Sequence, residues 1–216
     1  MFEKCEDLER FDIALPKLEI GLEMFSMCKN LKSFNSELPN LIYGESMFNG
    51  CDLMEFKIDM PKLNDGRNMF GENKNLKNVN CELPNLESGI FMFNECENLT
   101  SFISNSPSLR NGSCMFSGCK KLRSFKGDLS SLRDGSCMFS RCENLRRFEG
   151  DLSSLERAHD MFSGCKLDTE SVKNIAETIS TNDSNASITI GVDEMNEDKE
   201  NYIKMIEEKG WKVIVE

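Results

Sequence analysis

Ten cysteines are the residues of this chain best suited to chemistry, because a thiol can form a disulfide, bind a soft metal ion or act as a nucleophile. Seven occupy one position of a repeating pattern: Cys5, Cys28, Cys51, Cys96, Cys119, Cys142 and Cys165. The pattern places them in line with inward Phe and Leu residues, where a free Cys acts as a small hydrophobe. We therefore expect free, packed thiols; disulfides between neighbouring units and a zinc site at Cys114/Cys119 or Cys137/Cys142 are the alternatives.

Other catalytic machinery is poorly represented. His159 is the one histidine of the chain, and it has no Ser or Cys partner in a recognisable motif. No glycine-rich phosphate loop is present. We predict a solvated turn histidine and a protein that is not an enzyme and has no cofactor and no metal ion.

A column of acidic residues recurs on the predicted strand face, three residues after each strand Phe or its equivalent Val79, with Asn105 as an interruption. Its members are Glu37, Asp59, Glu82, Asp128 and Asp151. Carboxylates at this place can cap the backbone N–H groups of the following turn, which is the role we favour. Binding of calcium or a cationic ligand along the column, or simple solvation, are the alternatives.

The elements that position these residues follow from a repeat. A Met-Phe pair recurs with steps of 23 residues and a single step of 22, at Met1, Met24, Met47, Met69, Met92, Met115, Met138 and Met161. A fixed period of this length indicates a solenoid, in which each unit buries its apolar face against its neighbours. The shorter step arises because the third unit lacks a residue between Cys51 and Leu53, and Asn73 replaces Cys in the fourth.

Within each unit the spacing of Leu and Phe, as in Leu31 and Phe34, predicts one short strand whose alternate side chains point inward. The Leu-Pro-x-Leu segment and the recurring Gly indicate a turn, because Pro presets φ and Gly tolerates positive φ. We expect the Met-Phe-x-x-Cys segment to form a helical or 3₁₀ turn on the opposite side.

The order G-x-x-M-F-x-x-C-x-x-L-x-x-F, as in Gly112 to Phe125, resembles the BspA-like class of leucine-rich repeats. The resemblance covers roughly residues 1–165, with Met in place of a small residue before Phe and the proline two residues later than in that family. It implies an α/β fold: a right-handed leucine-rich-repeat solenoid with one short parallel strand per coil. It also implies a surface-exposed or secreted adhesion protein and no catalytic residues.

After Cys165 the period stops, and residues 166–216 are predicted to close the solenoid of residues 1–165 as a cap of helix, strand, helix and strand. The expected elements span 169–179, 188–191, 197–209 and 211–215. Asp168 and Gly210 suit a helix N-cap and a helix C-terminal position. No comparable cap precedes Met1, so we expect a piece of a larger protein whose open first coil allows end-to-end self-association.

The remaining candidate is the strand face, the usual ligand face of leucine-rich solenoids. Its predicted ligand residues are Ser33, Asn35, Glu55, Lys57, Asn78, Asn80, Ser101, Ser124, Lys126, Arg147 and Glu149, and Arg10 and Ile103 hold equivalent positions. The net charge of −11 disfavours nucleic-acid binding, and no segment could insert into a membrane. We expect an interaction module that binds a protein or glycan of a host or neighbouring cell; the alternative is a structural spacer.

Overall fold

The structure, a computed structural model, describes residues 1–103, 105–184 and 186–216. Each repeat contributes one short strand to a common face, here called the strand face. The strands are β1 (Arg10–Phe11), β2 (Ser33–Phe34), β3 (Glu55–Phe56), β4 (Asn78–Asn80), β5 (Ser101–Ile103), β6 (Ser124–Gly127) and β7 (Arg147–Gly150). Neighbours pair in parallel as β1–β2, β3–β4–β5 and β6–β7. The predicted architecture of one strand per coil is confirmed.

The core consists of columns of equivalent side chains. The Phe of each Met-Phe pair stacks nearly parallel on the next, as for Phe70 and Phe93, whose ring centroids are 5.2 Å apart. The strand Phe residues meet this column edge to face, as Phe125 does with Phe139 at 5.0 Å. Each such aromatic pair adds about 0.5–1.5 kcal/mol to the free energy gained by burial. The inward register of the strands is therefore as predicted.

The opposite side of each coil, here called the turn face, is not helical. Its N–H groups alternate between the same coil and the next: Met47 N–H donates to Gly44 O (3.0 Å), and Phe48 N–H donates to Met69 O (2.9 Å). Successive β-turns of this kind place residues such as Ser46 (φ 53°) in the left-handed region. The expected helical or 3₁₀ turn was wrong because alternate N–H groups are used to join coils rather than to continue a helix.

The recurring glycines have a different role from the one expected. None of the six, at Gly21, Gly44, Gly66, Gly89, Gly112 and Gly135, has a positive φ. A Cβ on Gly66 would lie 3.1 Å from Sδ of Met92 in the next coil. These glycines are therefore required by close packing against a methionine, whereas the left-handed positions of the turn face are occupied mostly by other residues.

Two irregularities of the repeat form one structural device. The shortened third coil leaves the buried N–H of Leu53 without the in-coil partner that Leu31 has in Cys28 O. Oδ1 of Asn73, in the next coil, accepts that N–H at 3.2 Å, and its Nδ2 donates to Phe48 O at 2.7 Å. The amide therefore supplies both the donor that Cys provides elsewhere and the acceptor that the deletion makes necessary.

We expect Asn73→Cys, which restores the repeat residue, to lower the free energy of unfolding by about 1–3 kcal/mol, because the buried Leu53 N–H loses its partner. Inserting Asn after Asp52 in the same variant restores the regular spacing and should recover most of the loss. Urea denaturation of the two variants checks this. A loss that persists after the insertion would contradict the pairing of Asn73 with the deletion.

The C-terminal segment continues the turn face rather than the strand face. Strand β8 (Ala158–Leu167) lies on the turn face and is followed by α1 (Thr169–Thr178), β9 (Ser187–Val192), α2 (Glu197–Glu208) and β10 (Lys212–Val215). The three strands form a parallel sheet in the order β10-β9-β8. Each helix and strand expected here is present to within two residues at each end, and Asp168 caps α1 by accepting the Ser171 N–H at 2.9 Å.

Helix α1 ends the strand face. Ser171, Asn174 and Thr178 lie on one side of α1 and bond to β7 in place of a further strand. The Phe148 N–H donates to Ser171 Oγ (2.8 Å), the Gly150 N–H donates to Asn174 Oδ1 (3.0 Å), and Thr178 Oγ1 donates to Gly150 O (3.2 Å). The backbone groups of the last strand are thus satisfied by side chains at helical spacing.

Candidate binding surface

The predicted ligand residues flank the buried strand Phe residues, or Val79 in β4, and point to solvent. Nine of them are exposed, and two, Ser33 and Ser101, are half-buried. The side chain of Ile103 is outside the part that the structure describes. Because successive side chains of a strand alternate between faces, burying each Phe forces its two neighbours outward. The structure therefore places all eleven residues on one polar surface.

Charges on the strand face are paired across short distances. Lys126 Nζ lies 2.6 Å from Glu149 Oε1 on the adjacent strand, and Lys57 Nζ lies 2.7 Å from Glu55 Oε2. Arg147 reaches Asp168 at 3.4 Å. All three cations remain at least 60% exposed, so these pairs add little stability and stay available to a ligand. The strand face thus offers both signs of charge, although the whole chain is acidic.

In the described part of the chain, depressions lie along this face at its second and third coils and beside α1. The first, between the second and third coils, has a volume of about 260 Å³ and is bordered by Ser33, Asn35, Glu55 and Lys57. It continues into a depression of about 360 Å³ beside Glu37 and Asp59. The acidic column and the strand residues therefore border the same surface.

The second depression lies where the strand face meets α1. Adjoining volumes of about 310 and 350 Å³ share Glu149 and Asn174 as lining residues. One wall comes from Lys126 and Arg147, and the other from Lys173 and Glu177 of α1. We did not expect α1 to border the ligand surface. The signal that could have placed α1 at this surface was the spacing of Ser171, Asn174 and Thr178 on one side of the helix.

The acidic column is exposed at all five positions. Asp128 and Asp151 each accept a backbone N–H two residues ahead, at Ser130 and Ser153, at 2.9 Å. The hydrogen bonds from Ser130 hold the pKa of Asp128 below its ordinary value. Asp59 accepts the N–H of Glu82 in the next coil at 2.9 Å. Within residues 1–103, 105–184 and 186–216, no group of three or more His, Cys, Asp or Glu side chains could hold a metal ion.

All ten cysteines are free thiols. In the core column, from Cys28 onward, each Sγ donates to the carbonyl of the Phe one coil earlier, as Cys119 does to Phe93 O at 3.2 Å. Burial raises the pKa of Cys51 to about 12, which keeps the donor proton in place. The prediction of packed, free thiols is confirmed, and the S–H donor explains why this column holds Cys rather than a purely apolar residue.

His159 is exposed, as expected, but it lies in β8 rather than in a turn. Its Nε2 is 3.1 Å from Asp160 Oδ2, and its Nδ1 is 3.4 Å from Ser187 Oγ. The Ser187 hydroxyl and the Asp160 carboxylate therefore lie at opposite nitrogens of an exposed ring.

The family model for the BspA type leucine-rich repeat region matches residues 1–123 and 66–187, with 6 copies. The chain belongs to the BspA-type leucine-rich repeat family. No curated protein and no solved structure matches it.

Membership of the BspA-type family identifies a repeat interaction module, because the leucine-rich repeat family is generally a non-catalytic interaction scaffold. The family is typically associated with the cell surface. In the described part of the chain, neither helix has the length and apolar composition needed to cross a bilayer.

Proposed function

We propose that this protein is a cell-surface or secreted adhesion module that binds a polar protein segment or glycan of a host or neighbouring cell in the groove between the strand face and α1. The observation that carries this proposal is the groove bordered on one side by the predicted face residues Lys126, Arg147 and Glu149 and on the other by α1. Family membership supports the surface location.

The chemistry of the groove favours a polar ligand. Its walls hold Lys126, Arg147 and Lys173 beside Glu149 and Glu177, so charge-assisted hydrogen bonds can form to either sign of partner. Among the residues that the structure describes, none of the exposed large apolar side chains lines this groove. Recognition should therefore depend on hydrogen bonds and charge, with affinity that falls as salt rises.

Binding should be lost when two groove cations are removed. We expect Lys126→Ala/Arg147→Ala to weaken binding at least tenfold, since two charge-assisted contacts are worth roughly 1.5–3 kcal/mol each. Surface plasmon resonance against purified extracellular-matrix proteins, together with a glycan array, supplies the measurement. Both ion pairs are exposed, so the melting temperature should change little.

Arg110→Ala/Arg133→Ala is the matched control, because it removes the same charge from exposed arginines that do not line the groove. Equal loss in both variants would show only an effect of net charge. Binding that survives in the groove variant would locate the site elsewhere. A wild-type chain that binds no probe would instead favour the structural spacer.

A further inference from the structure

Three cysteines lie outside the column of seven: Cys81, which is buried, and Cys114 and Cys137, which are not. Cys114 and Cys137 immediately precede Met115 and Met138 in successive coils. Asn111 and Asp134, three residues earlier in each coil, are directly paired in the coil-to-coil ladder. The Cys114 N–H donates to Ser136 O at 2.9 Å, which keeps the same register. The two cysteines are therefore opposite each other on adjacent coils.

Their separation and exposure suit a covalent link. Paired strands lie about 4.8 Å apart, which is within the Cα separation of about 4.4–6.8 Å found in disulfides. Both cysteines are half-buried, whereas seven others are buried: Cys28, Cys51, Cys81, Cys96, Cys119, Cys142 and Cys165. Cys5 is also half-buried, but its equivalent in the next coil, Cys28, is not. Cys114 and Cys137 thus form a neighbouring pair in which both thiols reach solvent.

The two thiols differ in acidity. Burial raises the pKa of both, and the contact with Cys137 raises the pKa of Cys114 further, to about 11. For Cys137, the hydrogen bond with Cys114 lowers the pKa and so opposes the effect of burial. Cys137 therefore becomes the thiolate, and so the nucleophile, before Cys114 does.

Nearby charges decide which reagents approach. Asp134 acts on both thiols, and Asp160 acts on Cys137. Arg157 Nε pairs with Asp134 Oδ2 at 2.8 Å, and His159 lies beside Asp160. Because the chain as a whole carries a charge of −11, its field attracts cations and repels anions.

We propose that Cys114 and Cys137 are a thiol–disulfide exchange site for small cationic disulfides, closing a disulfide between adjacent coils. The Cys137 thiolate attacks one sulfur of the reagent, its S–S bond breaks, and the released thiolate takes up a proton. Cys114 then gives up its proton and attacks the Cys137 sulfur, which releases the second half of the reagent as a thiol. Two protein thiols are oxidised, and one small disulfide is reduced to two thiols.

The test treats the whole chain with cystamine, a cationic disulfide, or with oxidised glutathione, an anionic one, at mildly alkaline pH and low salt. Intact mass and peptide mapping should show the loss of two hydrogens and a link between Cys114 and Cys137. Cystamine should react about tenfold faster than oxidised glutathione, and added salt should narrow the difference. The substitution Asp160→Asn should also reduce the difference in rate between the two reagents.

Single variants separate the two steps. Cys114→Ser should keep one cysteamine adduct on Cys137, because the resolving thiol is absent, and Cys137→Ser should react more slowly. Circular dichroism confirms that each variant is folded. Adducts that accumulate on both wild-type thiols without an internal link would overturn the proposal. Equal rates for the two reagents would overturn the preference for cations.

Discussion

Phe116→Ala should lower the free energy of unfolding by about 3–5 kcal/mol, because it removes a fully buried ring and leaves a cavity. The ring stacks on Phe93 and Phe139 at 5.5 and 5.4 Å and meets Phe102 edge to face at 4.9 Å. Neighbouring coils on both sides therefore lose contacts. Urea denaturation followed by circular dichroism gives the measurement.

Phe91→Ala is the matched control for this substitution, since it removes the same ring from a position that is 44% exposed on the turn face. We expect a loss of less than about 1 kcal/mol there. Similar losses at both positions would mean that the aromatic column is not what holds the coils together. Because each coil contacts only its neighbours, the Phe116 variant should also unfold less cooperatively.

Gly191→Ala is expected to detach the C-terminal sheet. A Cβ on Gly191 would lie 2.6 Å from the carbonyl oxygen of Cys165 and 2.8 Å from that of Phe162, both in β8. Backbone atoms cannot move aside as a side chain can, so β9 must shift away from β8. We expect a loss of about 3 kcal/mol or more, at the upper end of overpacking effects.

Trp211 reports this change directly, because it is the one tryptophan and is buried in the C-terminal segment, donating to Ser180 O at 2.8 Å. Its fluorescence in Gly191→Ala should shift to the red at lower urea concentration than in the wild type. Gly112→Ala is the comparison, where the nearest atom is the movable Sδ of Met138 at 3.2 Å. A cost of about 1 kcal/mol is expected there. An unchanged Trp211 transition in Gly191→Ala would refute the close approach of β9 to β8.

The core and the strand face could be predicted from sequence because a repeat gives every inward residue several equivalent copies. Phe34, Phe125 and Phe148 share a column, so the register of one fixes the others. The C-terminal helices were similarly predictable from their caps, as Asp168 shows. Both features leave patterns in the sequence that recur or that have a local physical cause.

The conformation of the turn face could not be predicted from the repeat. Its left-handed positions carry residues as different as Glu23, Phe91 and Cys137, so no composition marks them. They are held there by bonds to the next coil, which are contacts distant in sequence. The role of Asn73 could not be predicted either, because it compensates for the deletion beside Leu53, 20 residues earlier in the sequence. The contribution of α1 to the groove could not be predicted, because it depends on how that helix packs on β7.

The pairing of Asn73 with the shortened third coil bears on how the number of repeats can change. Most junctions between coils use equivalent bonds, such as those from the core cysteines to a Phe carbonyl, so duplication or loss of a whole unit creates no new type of interface. The junction between the third and fourth units differs, because removal of the fourth unit alone would leave the Leu53 N–H without its acceptor, Asn73 Oδ1. We expect these two units to be copied or lost together in the evolution of the array.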